Sequence, residues 1–129
     1  FMITLKGVCR FRVNRELPVF RGFRRIIPNY LAFRNDLEPA SDEGIDRGRL
    51  LSAARAFLLL KNIACDWQAA EAASTQALVT SLAMSCPFEP EEKQALLECD
   101  DLPGRCQLLI SLFEMAMLTA DGPPPGTRH

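Results

Sequence analysis

Histidine is nearly missing from this chain: the one copy, His129, lies in the terminal run ADGPPPGTRH. A Ser-His-Asp arrangement would have to recruit it, so no triad of that kind is expected. Lysine is scarce too, with only Lys6, Lys61 and Lys93. Lys93 stands beside Glu89, Glu91 and Glu92, acids that favour its charged form and a solvated face over a role as catalytic base. A phosphate-cradling G-x-x-x-x-G-K-S/T loop is lacking, and so is a G-x-S-x-G elbow. Paired cysteines are lacking as well. Cys9, Cys65, Cys86, Cys99 and Cys106 are spaced by 56, 21, 13 and 7 positions, an odd set without a C-x-x-C. They are expected to be reduced thiols of a cytoplasmic protein, with no structural zinc. The longest apolar run, AFLLL at 56–60, is far too short to span a bilayer.

What the chain does have is a split in charge. Residues 1–34 carry eight basic side chains against the single acid Glu16, a balance of +7, whereas residues 35–129 balance to −8. Such a split fits an anionic partner for the basic end, and it fits equally an attraction between the two halves. The 129 residues make one domain's worth of material.

Period-two alternation marks the basic end. Phe1, Ile3 and Leu5 alternate with Met2, Thr4 and Lys6; Cys9, Phe11 and Val13 alternate with Arg10, Arg12 and Asn14. Both runs predict strands, with Phe11 inward, its arginine neighbours outward, and a bulge or bend at Gly7. The segment 17–33 is rich in aromatic and β-branched residues but is broken by Pro18 and Pro28, as edge strands tolerate. Residues 1–34 are therefore expected to form two or three antiparallel strands. Phe1 falls inside the first of them, so it is not expected to be the natural start.

A polar loop over 35–45 follows, and helices are expected over 46–119. Its SDEG stretch, 41–44, reads as loop solvation, since it lacks the oxygen-ligand alternation of a calcium site. Asp46 is placed to cap a helix from Arg47, with Ile45 and Leu50 as a hydrophobic staple and Leu50, Leu51, Ala54, Phe57 and Leu58 as its stripe. Asp66 starts a short helix. Ser74 or Thr75 caps another, carrying Leu78, Val79, Leu82 and Ala83, that must end before Pro87. Pro90, Glu91 and Glu92 suit the start of a fourth. Asp100 or Asp101 caps the last, along which Leu102, Cys106, Leu109, Phe113 and Ala116 recur at helical spacing. The short link between these last two makes an αα-hairpin whose leucines are expected in the core. The proline-rich end, 120–129, is expected to be disordered. The fold class is thus α+β: a short antiparallel β segment, then a bundle of four to five helices.

The order of these parts carries a resemblance. LKGVCRFRVNRELP (5–18) resembles the glycine-then-Arg-Phe strand motif of the LON substrate-binding domain family, found at the N-terminus of ATP-dependent Lon proteases. ALVTSLAMSCPFEPEEKQALLECDDLPGRCQLLISLFEMAM (77–117) resembles its helical half, with Pro87, Lys93, Gln94, Leu96, Leu97, Glu98, Asp101 and Arg105 at matching positions. The resemblance implies a pseudo-barrel β part, here represented by a remnant, and a helical part that together recognise unfolded or exposed polypeptide segments. The family's opening strands and the ATPase and Ser-Lys peptidase modules are not in this chain, whose proline-rich end fits a stand-alone bacterial member. The implied function is non-catalytic substrate recognition, without cofactor or metal. Its partners would be unfolded protein segments, with strands preceding Phe1 or a second copy completing the sheet, and no membrane. The residues expected to meet substrate are Phe20, Phe23, Tyr30 and Phe33, in the proline-broken segment; core packing would use the same residue types. Two other readings stay open. One is a stand-alone hydrolase, which lacks a visible nucleophile–base pair. The other is a single-strand nucleic-acid module built on the interleaved Arg and Phe residues, against which the pI near 5.9 counts.

Overall fold

The computed structural model describes residues 1–120 of the chain; the tail expected to be disordered lies, from residue 121 on, outside the described residues. The architecture is α+β, a two-stranded antiparallel sheet followed by helices. The chain divides into a unit from Phe1 to Ser41 and a second unit that starts at Asp42.

In the first unit, β1 (Arg12–Phe20) pairs antiparallel with β2 (Phe23–Asn29). The expected strand over Phe1–Lys6 does not form, and Phe1, Met2, Ile3 and Leu5 are exposed. Alternation specifies a strand only when a neighbour completes its ladder of N–H and C=O groups, and among the described residues none does. The irregularities also fall elsewhere than Gly7: β1 slips register between Val13 and Arg15 and again between Leu17 and Phe20. The second slip contains Pro18, which has no N–H to give to a ladder. After β2 the chain turns into a 3-10 helix at Leu31–Leu37, where the end of a strand and the start of a loop were expected.

A lone hairpin has little stability of its own. This one is anchored by a compact lock. Phe33 is buried, with the Arg10 guanidinium 4.2 Å and that of Arg12 5.4 Å from the ring centre. Arg10 donates from Nε and Nη2 to the two Asp36 oxygens at 2.8 and 2.7 Å, and its backbone N–H adds a bond of 2.9 Å. The expected orientation of Arg-Phe-Arg is therefore corrected. Phe11 is half exposed, edge-on to Tyr30 at 5.9 Å, while Arg10 is the side chain drawn inward. A planar fork that matches a carboxylate and stacks on a ring gains more by that placement than a solvated arginine would.

The second unit is built from α1 (Arg47–Leu60), α2 (Trp67–Ala72), α3 (Thr75–Ser85), α4 (Pro90–Glu98) and α5 (Leu102–Ala120). Their starts are set by local side-chain oxygens. Asp46 accepts from Arg49 N–H, Asp66 from Ala69 N–H, Ser74 from Ala77 N–H, and Asp101 from Gly104 N–H, which satisfies amides no helix can pair internally. Ser74 and Asp101 are thus the caps among the alternatives, and Thr75 begins α3. Leu50, Ala54, Phe57, Leu58, Val79, Leu96, Leu109, Ile110 and Phe113 meet in one core, with α1, α3 and α4 all packed on α5. Asp42, expected to be loop solvation, instead accepts a 2.8 Å bond from the hydroxyl of buried Thr75. No helix among the described residues is long and apolar enough to cross a membrane.

Candidate functional site

The hairpin tip is set by Arg21 and Gly22, at φ 50° and 80°. Two consecutive residues at positive φ are what a type I′ connection requires, and it brings Phe20 and Phe23 into register across the turn. From there the register sorts side chains between the two faces. Residues opposite one another share a face, and faces alternate along β2. One face takes Phe20 with Phe23, Leu17 with Arg25, Arg15 with Ile27, and Arg12 with Asn29. The other takes Glu16 with Ile26 and Val13 with Pro28, together with Arg24.

The two slips on β1 produce this sorting. Strict alternation would put Arg12 and Arg15 on opposite faces, and Leu17 and Phe20 likewise; each extra residue brings its pair back to one side. The consequence is electrostatic. Glu16 is on the second face, bound by Arg24 through two hydrogen bonds of 2.7 and 3.2 Å, and that guanidinium holds the Glu16 carboxyl below its usual range. The first face keeps arginines and carries no acid. Two guanidiniums also lie over the Phe20 ring, Arg21 at 5.2 Å and Arg25 at 5.5 Å.

The four residues expected at a binding site have different fates. Phe20 and Phe23, 53% and 69% exposed, stand together on the first face of the tip. Tyr30 is half exposed and packs against Phe11, just beyond β2. Phe33 is buried beneath Arg10 and Arg12 and offers no surface. Arg15, Leu17, Arg25 and Ile27, which join the Phe pair on the first face, were not singled out together from the sequence, because their grouping depends on slips that exist only once the strands pair.

In the helical unit, a groove of about 490 Å³ runs between α1 and α5, with Ala53, Ala56, Phe113 and Leu118 along it and the Arg49–Glu114 ion pair, 2.8 Å, at its side. Its walls are mostly apolar, and the ion pair is already satisfied. The two buried thiols point away from nucleophilic chemistry. Burial pushes Cys86 up to about 11 and raises Cys106 as well, keeping both protonated and inert. Lys93 spends its ammonium on the Met84 carbonyl at the end of α3, at 3.3 Å. Among the described residues, no group of three or more His, Cys, Asp or Glu side chains is placed to hold a metal ion.

The Cys86 shift has a pH signature. Its folded value lies above its ordinary value of 9.0, so its contribution to stability is complete below pH 9 and is lost as the pH rises towards about 11. Urea midpoints measured across that window are expected to fall less steeply in Cys86→Ala than in the parent. Equal slopes would mean that the thiol is not shielded in the folded chain.

No family model matches the chain, and neither a curated protein nor a solved structure matches it.

Proposed function

We propose that this chain is a non-catalytic recognition module of the LON type, binding unfolded or exposed polypeptide segments through its hairpin. The observation that carries the reading is the tip, where Phe20 and Phe23 stand side by side and exposed on a sheet of only two strands. Exposed aromatic pairs beside strand edges are what extended polypeptide binds: rings take its side chains, and edges take its backbone. The likeness of residues 5–18 and 77–117 to the LON family supports the same reading, as does the order of a β part before a helical one. The helical unit then acts as scaffold, its core filled and its two buried thiols, Cys86 and Cys106, inert. Five free cysteines support a cytoplasmic setting.

The test is binding of the chain to a reduced, alkylated, permanently unfolded protein. The double variant Phe20→Ser/Phe23→Ser is expected to bind at least about tenfold more weakly, since each ring is worth on the order of 1.5–3 kcal/mol when it becomes buried. Helicity by circular dichroism should be unchanged, because neither residue is in a helix. Undiminished binding would remove the hairpin tip as the site. Turnover of the unfolded protein by the chain alone would overturn the non-catalytic reading.

A further inference from the structure

We infer that the first face of the hairpin selects for acidic segments, so that the polypeptide it takes is extended, apolar at intervals and rich in Asp or Glu. This rests on the reading of the hairpin as a polypeptide-binding surface and narrows its substrate. The face combines two exposed rings, Phe20 and Phe23, with Arg15 and Arg25, and Arg21 stands at the turn beside them. The one acid of the hairpin is on the opposite face and is already held by Arg24. Charge on the two sides is therefore unequal, and the inequality follows from the two slips in β1 rather than from composition alone.

Spacing favours a polypeptide. Successive side chains on one side of an extended chain lie about 6.6–7 Å apart, the same repeat as that of same-face residues along β2. A strand lying along β2 thus meets the Phe23 ring, the Arg25 guanidinium and the Ile27 side chain in turn. Guanidinium forks pair with carboxylates in bidentate geometry, and those of Arg21 and Arg25 are held over the Phe20 ring, which reduces the entropy lost on binding. As a platform for single-stranded nucleic acid the pair is reduced, since the Phe20 ring already has guanidiniums across it and Phe23 is the more exposed ring left for a base. The backbone edges of a two-stranded sheet are also complementary to peptide groups and not to a sugar–phosphate chain.

The experiment compares three fluorescent 12-residue peptides built from three Phe-Ser-X-Ser repeats, with X as Glu, Gln or Lys so that Phe and X fall on the same side of an extended chain, together with an oligothymidylate, each titrated against the full chain at low and at high salt. The Glu peptide is expected to bind on the order of tenfold tighter than the Gln peptide at low salt, with the Lys peptide weakest and the difference shrinking as salt is added. Arg15→Gln/Arg25→Gln should abolish the preference, so that the Glu and Gln peptides bind the variant equally. Equal binding of the Glu and Gln peptides would overturn the acidic preference while leaving polypeptide binding intact. If none of the peptides bound, the functional reading would itself fall. Oligothymidylate binding tighter than the Glu peptide would assign the face to nucleic acid instead. A dimer that dissociates in the double variant, with the Glu peptide unbound, would assign it to a second copy of the chain.

Discussion

Replacing Phe113 with alanine is expected to cost the helical unit about 3–5 kcal/mol, the usual range for emptying a buried aromatic site. Phe113 is fully buried, and its ring lies 4.8 Å from that of Phe57 and 5.5 Å from that of Phe88. Phe57 and Phe88 are themselves 5.6 Å apart, so the three rings form a closed trio joining α1, α5 and the link before α4. Removing the ring shared by the two closer contacts leaves the other two facing a void. The groove between α1 and α5 aggravates this, because Phe113 also lines it and truncation would open the core to it. Domains of this size have total stabilities of roughly 5–15 kcal/mol, so the loss would consume a large fraction. Urea unfolding followed by far-ultraviolet circular dichroism measures it. Met115→Ala is the control, because Met115 is on the same helix but 61% exposed, and a change within about 0.5 kcal/mol is expected. A Phe113→Ala cost under about 1 kcal/mol would show that the trio does not carry the core.

That core was legible in the sequence. The stripes on α1, α3 and α5 follow from helical spacing, and the buried side chains Leu50, Ala54, Phe57, Leu78, Val79, Leu102, Cys106, Leu109 and Phe113 lie on them. Asp46, Asp66 and Ser74 act within three residues of their own positions, so their roles could be read locally. The β half yielded less for a matching reason. Arg10 is drawn inward by Asp36, 26 positions away, and no local pattern carries that information. Strand alternation presumes a regular ladder, and the slips around Asn14 and Pro18 invert it. Phe20 and Phe23 are exposed, as aromatic residues flanking a tight turn are. Phe33, of the same type and in the same segment, became the plug of the Arg10–Asp36 lock, a distinction made only by tertiary contact.

The second large effect is expected at Arg47, the first residue of α1. Its guanidinium donates to the carbonyls of Ala70, Glu71 and Ala73 at 3.1, 3.0 and 2.7 Å, and to the Thr75 hydroxyl at 3.2 Å. These acceptors sit at the C-terminal end of α2 and the start of α3, where a helix leaves carbonyls unpaired and its dipole favours a cation. Helix α2 needs the help. It has six residues and none is fully buried, so packing alone holds it weakly. Arg47→Met keeps the aliphatic stem but removes every donor, and is expected to release α2 at a cost of about 2–4 kcal/mol, given charge-assisted bonds worth about 1.5–3 kcal/mol each and partial rescue by water. Thr75 remains satisfied, since its hydroxyl still donates to Asp42, so the damage should stay on α2. The chain supplies its own reporter. Trp67, the only tryptophan, opens α2 and packs against the core with the Arg55 guanidinium 4.9 Å from its ring. Its emission should shift to the red in Arg47→Met, and α2 amides should exchange faster while those of α5 stay protected. Arg55→Met also disturbs α2, through the ion pair with Glu71, but both partners of that pair are half exposed, so its cost is expected within about 1 kcal/mol. If both variants left Trp67 emission and α2 exchange unchanged, α2 would be held by its apolar contacts alone, and the Arg47 bonds would be incidental to its docking.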